Sequence, residues 1–211
     1  MRQIDFYFDI ISPFAHVALA RLGELPADVE VKPKPILLGP LLAHWGQRGP
    51  AEIAPKRLHT YRLSCFLGEK YGLAMRFPQR HPFNPLAAMR LLAGAEADLA
   101  TVRKAFDFVF SDGRAPDNET DLAAFAARIG VDPSLAGEQS AKDRLRALTD
   151  EAIAHGVFGV PTFAVDDELF WGVDAFDMLL AWLGEPEMFG RAPYVELEQV
   201  ETGIVRKAAG G

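Results

Sequence analysis

One cysteine, Cys65, is all the thiol this 211-residue chain possesses. An internal disulfide and a CxxC dithiol pair are therefore excluded. Cys65 sits in a helical stretch and reads as a packed core thiol. Positive charge is in short supply too: 22 Lys and Arg stand against 29 Asp and Glu, a net charge of −7. A phosphate backbone requires a basic face, so nucleic acid is not an expected partner. No apolar run approaches the roughly 18 residues that signal a membrane span. Asp5 and Asp9 interrupt the first residues, MRQIDFYFD, so no secretory leader is read there. With no disulfide either, the expected compartment is the cytoplasm. His16, His44, His59, His81 and His155 show no paired spacing, so no metal site is expected.

What is present is a large apolar fraction, 49%, enough for one compact domain or a domain carrying an insertion. Ile4, Phe6, Phe8 and Ile10 alternate as in a buried strand. At Ser12-Pro13 the period changes to a helical one through Phe14, Val17, Ala18 and Arg21. Serine followed by proline is a helix start: Ser12 accepts an amide hydrogen bond, and Pro13 at the first helical position needs no donor. Ser12 then stands at the carboxyl edge of a sheet, where free amides and the helix dipole favour an anion. By itself, a Ser-Pro pair reads simply as a cap.

Further along, residues 29–38 read as a second strand in which Pro33 and Pro35 imply an edge position. Residues 39–55 form a loop with a short turn at 41–45. Five helical stretches follow, at 56–71, 86–95, 97–111, 121–129 and 140–155. Thr120 and Ser140 are candidate caps, and the 97–111 stripe of Leu99, Val102, Phe106, Val109 and Phe110 is the clearest. Residues 162–165 and 169–171 flank Asp166-Asp-Glu168 as a hairpin. A last helix opens at Asp174 and buries Met178, Leu179, Trp182 and Leu183, and residues 187–211 read as an extension of uncertain order.

Strand, serine-capped helix and a late Val160-Pro161-Thr162 resemble the thioredoxin fold, in which the proline is cis and faces the helix terminus. Over residues 3–184 the chain resembles the 2-hydroxychromene-2-carboxylate isomerases and, more broadly, kappa-class glutathione transferases of the DsbA-like group. The residues carrying this are Asp5–Phe14, Phe158–Phe163 and Trp171–Asp174, with Pro82–Leu86 and Met89-Arg90 in support. The resemblance implies an α/β thioredoxin-like fold with a large all-helical insertion. Residues 1–39 and 156–186 would be the thioredoxin-like part, 40–155 the insertion and 187–211 the extension.

It also implies an enzyme, a glutathione-dependent isomerase of an aromatic-catabolism intermediate, acting as a homodimer. Ser12 is the implied catalytic residue, hydrogen-bonded to the glutathione sulfur. Gln47, Lys56, Val160, Pro161 and Asp174 are the implied glutathione contacts. Phe14, Trp45 and Asn84 are the implied substrate side. Plain readings stand beside these: Asp174 and Asn84 as helix caps, Lys56 as a solvated helix start. Leu42 and Val173 occupy positions where such isomerases often carry lysine and asparagine, and both touch the substrate side. A transferase that consumes glutathione and a non-catalytic glutathione-binding domain are the alternatives.

Overall fold

A computed structural model describes residues 2–204 of the chain. The expected α/β architecture is built around β1 (Arg2–Phe8), an inner strand of a four-stranded sheet in the order β2-β1-β3-β4. Its alternation divides two apolar clusters. Ile4, Phe6 and Phe8 enter the large one, and Tyr7 points into a smaller one with Ile36, Leu41 and Val157. The strand stops at Phe8, short of Ile10, because Asp9 turns the chain. The Asp9 carbonyl accepts from the Ser12 N–H at 3.0 Å and its carboxylate accepts from the Ile11 N–H at 3.1 Å.

After the turn, α1 (Pro13–Arg21) crosses back over the sheet, and β2 (Val29–Pro35) pairs parallel to β1 with Pro33 opposite Phe6. β2 is an edge strand, as its two prolines require. α2 (Leu38–His44) begins three residues earlier than the expected turn. Then come α3 (Ala54–Lys70), α4 (Leu86–Gly94), α5 (Leu99–Phe110), α6 (Glu119–Ile129) and α7 (Gln139–Ala154). β3 (Thr162–Val165) returns antiparallel to β1, and β4 (Glu168–Trp171) completes the hairpin before α8 (Phe176–Gly184).

Several helix starts differ from the sequence reading. Asn118, not Thr120, caps α6, accepting from the Asp121 N–H at 3.0 Å. α7 starts at Gln139 with no side-chain cap, so Ser140 lies inside it. α8 starts at Phe176, two residues past Asp174, because the Phe176 N–H is already taken by the Val173 carbonyl in a turn. Within α8, Leu179 and Trp182 are buried and Leu183 is half-buried, but Met178 is exposed.

The large cluster fills the space between the sheet and α1, α4, α5, α6 and α8. Phe8 meets Phe106 at 5.7 Å, and the buried His16 ring stacks on Phe106 and Phe110 at 5.9 and 5.8 Å. His16 Nε2 has no hydrogen-bond partner, and burial lowers its pKa to about 4. Arg21 binds α1 to α8: it pairs with Glu24 and Asp177, donates to the Val173 carbonyl and lies 4.4 Å from the Phe176 ring centre. Cys65 is a correction, being half-exposed on α3 and not in the core, with its thiol pKa raised mainly by burial.

Beyond α8, Met188 is buried and Phe189 stacks on Phe170 at 6.2 Å, so the start of the extension packs on β4. Residues 205–211 of that extension lie outside the described residues. Among the described residues no helix is long and apolar enough to cross a membrane, and no cluster of His, Cys, Asp or Glu has metal-binding geometry.

Candidate active site

Ser12 stands where the 9–12 turn runs into α1. Its Oγ accepts from the Ala15 N–H at 3.3 Å and donates to the Val160 carbonyl at 3.4 Å, which makes it both a helix cap and a bridge to the segment before β3. The Val160–Pro161 peptide is cis, as expected. Around it, the Pro161 carbonyl accepts from the Gly172 N–H at 2.8 Å, and the Thr162 hydroxyl donates to the Gly159 carbonyl at 2.7 Å. The segment facing Ser12 is thereby held from both sides.

The turn itself is held by two ionisable groups from different directions. Asp9 is buried, and its second carboxylate oxygen accepts from the Leu38 N–H at 2.9 Å, joining the turn to the start of α2. Burial raises its pKa to about 6, against the lowering effect of the two amide bonds. From the other side, His81 Nε2 lies 2.7 Å from the Ile11 carbonyl oxygen, and Nδ1 lies 2.8 Å from the Tyr61 hydroxyl. A carbonyl can only accept, so Nε2 carries a proton; in the neutral ring Nδ1 is then an acceptor, and it shares the single Tyr61 hydroxyl proton with the His81 carbonyl, also 2.8 Å away. Burial lowers the His81 pKa, which favours this neutral form. Both polar groups of the Ile11 residue are thus engaged, one residue before Ser12.

A cavity of about 400 Å³ opens at this point. Ser12, Pro13 and Phe14 form one side, Leu37–Pro40 and Leu42 from α2 another. The 49–52 turn, Thr60 of α3, His81, Pro82 and residues 84–86 enclose it, and Val160 completes the rim. Such a volume suits a small organic ligand. Two other depressions, of about 430 and 580 Å³, lie away from Ser12 and mix charged and apolar side chains.

Of the residues singled out from the sequence, Ser12, Phe14, Asn84 and Val160 line this cavity, and Pro161 lies directly behind Val160. Asn84 also accepts from the Leu86 N–H at 3.1 Å, but Pro85 takes the capping position of α4, so Asn84 is not the helix cap expected of it. Trp45 does not line the cavity: its indole N–H donates to the Val157 carbonyl at 2.8 Å, which holds the ring outside it. Gln47, Lys56 and Asp174 are exposed and do not line it. The Asp174 carboxylate instead folds against Gly172, whose lack of a Cβ leaves room for it. Asp9 and Tyr61 were missed as site residues. The available signal for Asp9 was a carboxylate at the end of a buried strand, three residues before a cap; for Tyr61 no local signal exists.

The chain matches the model of the DSBA-like thioredoxin domain over residues 3–184. It is 32% identical to a 2-hydroxychromene-2-carboxylate isomerase of Pseudomonas putida, over 86% of this chain and 94% of that one. It is 22% identical to glutathione S-transferase kappa 1 of Rattus norvegicus, over 89% of this chain and 93% of that one. A solved 2-hydroxychromene-2-carboxylate isomerase superposes with a TM-score of 0.75 at 28% identity, covering 87% of this chain and 95% of its own. The chain therefore belongs to the DSBA-like thioredoxin-domain family and, within it, to the family of the 2-hydroxychromene-2-carboxylate isomerases.

Proposed function

We propose that this protein is a glutathione-dependent isomerase of an aromatic-catabolism intermediate, of the 2-hydroxychromene-2-carboxylate type. The observation that carries the reading is a hydroxyl in place of a thiol at the helix terminus. Ser12 caps α1 opposite the cis Val160–Pro161 bond and lines a largely apolar cavity, while the one cysteine, Cys65, is held elsewhere on α3. The site fits glutathione as the source of the missing thiol. When bound, glutathione would supply a thiolate, a nucleophile suited to reversible addition to a conjugated carbonyl system and regenerated at the end of the cycle.

In this reading the Ser12 O–H, now 3.4 Å from the Val160 carbonyl, turns its proton to the sulfur. Together with the α1 N-terminus it stabilises the anionic form at neutral pH. The Val160 backbone pairs with the cysteinyl unit, and Asp174 takes the glutamyl ammonium. Gln47 and Lys56 contact the peptide from the α2–α3 side. Phe14 and Asn84 face the aromatic substrate, in a crevice between the thioredoxin-like part and the helical insertion at 40–155. Cytoplasmic location and a homodimer belong to the same reading.

Incubating the protein with 2-hydroxychromene-2-carboxylate, with and without glutathione, tests it. Isomerisation that requires glutathione and leaves its concentration unchanged supports the isomerase. Stoichiometric loss of glutathione identifies a transferase instead, the reading favoured by the kappa-class relative. Binding without turnover identifies a binding domain.

A further inference from the structure

The charge lining the cavity is of one sign. Among the described residues that form its walls, Asp9 and Glu52 are the carboxylates, and no lysine or arginine is present. The remaining polar side chains are Ser12, Thr60, Asn84 and His81. His81 is held in its neutral form, because burial lowers its pKa, and its Nε2–H is engaged by the Ile11 carbonyl. Glu52 holds the Gly49 N–H through Oε1 at 2.7 Å, and its other oxygen is 4.0 Å from Arg48, an exposed side chain outside the walls. Arg90, Lys142 and Arg146 line a separate depression that meets the cavity only at Leu37, Pro40 and Leu86. Those three apolar side chains stand between the cations and the cavity.

We propose that this cavity selects an uncharged aromatic group, and that a carboxylate on the substrate is kept outside it. The inference rests on the functional reading above and narrows its substrate class. An ionised carboxylate placed among Phe14, Leu38 and Leu42 would lose its hydration with no cation to replace it, and would face two carboxylates of its own sign. A neutral ring carrying a carbonyl loses little on entry and keeps Ser12 and Asn84 as polar contacts. On the functional reading above, the aromatic acid is thus bound with its ring in the cavity and its carboxylate at the mouth.

The test uses the full chain loaded with glutathione and an unreactive pair of nearly equal shape, 2-naphthamide and 2-naphthoate, titrated calorimetrically. The amide is expected to bind at least about tenfold more tightly, which is about 1.4 kcal/mol. Leu42→Lys, which sets an ammonium in the α2 wall, is expected to close most of that gap. Glu52→Gln, which keeps the acceptor for Gly49, is expected to narrow it two- to threefold, and serves if Leu42→Lys fails to fold. Equal or tighter binding of the naphthoate overturns the proposal, as does a gap that a folded charge variant leaves unchanged. Because binding is read without turnover, failure of the isomerisation assay bears on the functional reading alone.

Discussion

The Ser12 hydroxyl oxygen lies 3.4 Å from the carbonyl oxygen of Val160, 148 residues later in the chain. The contact joins the end of the first strand to the start of the third. Its length leaves the proton free to turn to a better acceptor, and a thiolate at the α1 terminus is one.

Ser12→Ala is expected to raise the pKa of bound glutathione, read from thiolate absorbance, and to slow turnover about ten- to a hundredfold. That range corresponds to losing one hydrogen bond to a charged group, roughly 1.5–3 kcal/mol. Glutathione affinity should hardly change, since the peptide contacts do not pass through the hydroxyl. The Ala15 N–H loses its acceptor, so ~1 kcal/mol of stability should also go. A variant that loses only that stability and keeps its turnover would reduce Ser12 to a cap.

Tyr61→Phe should loosen the active-site turn without touching its chemistry. The hydroxyl lies 2.8 Å from both the ring nitrogen and the backbone carbonyl of His81, and His81 holds the Ile11 carbonyl. A stability loss of about 1 kcal/mol and a several-fold lower kcat are expected, with KM for glutathione little changed. Thermal melting and steady-state kinetics on one preparation check both.

Asp9 and His16 act in opposite directions on stability as pH falls. The folded-state pKa of Asp9, about 6, lies above its usual 3.8, so its contribution is full below pH 3.8 and is lost as pH rises through 6. That of His16, about 4, lies below the usual 6.5, so its contribution is full above pH 6.5 and is lost as pH falls through 4. Each is worth about 3 kcal/mol at most, and between pH 4 and 6 they partly cancel. Asp9→Asn should therefore make stability fall more steeply between pH 6 and 4, and His16→Leu should make it fall less. Urea midpoints at several pH values measure the slopes, and parallel curves for both variants would refute the assignment.

Gly94→Ala should destabilise the helical layer. A Cβ there would lie 2.7 Å from Ala141 Cβ and 3.1 Å from Leu135 Cγ, where α4 crosses α7. The Ala141 Cβ is fixed to its helix backbone and cannot swing aside, so about 1–3 kcal/mol is expected from overpacking. Gly137→Ala, with open space around it, is the matched control and should leave the urea midpoint unmoved.

Much of the site was legible in the sequence because its signals are local. A side chain that accepts an amide three residues on, as Ser12 does from Ala15, needs only the Ser-Pro pair and a change of hydrophobic period to be recognised. The prolines of β2 likewise announced an edge strand, since neither can donate to a neighbour. Local signals also compete, and there the sequence misled. Asn118 and Thr120 are both acceptable caps, and Asp174 suits the start of α8. Backbone geometry selected Asn118 in one case and, in the other, filled the capping position with Ala175 and folded Asp174 onto Gly172.

What only the tertiary structure decided depends on groups that meet across the chain. Asp9 is a polar break in a strand until Leu38 arrives with an unpaired amide. His81 is a loop histidine until Ile11 presents its carbonyl. Trp45 is an aromatic near the site until the Val157 carbonyl draws its indole away. The composition states that the chain is acidic, but burial and topology decided that no lysine or arginine among the described residues lines the cavity and that Arg90, Lys142 and Arg146 stand beyond an apolar wall. Hydrogen-bond partners and the sign of a local field are properties of which surfaces pack together, and no spacing along one stretch of chain encodes them.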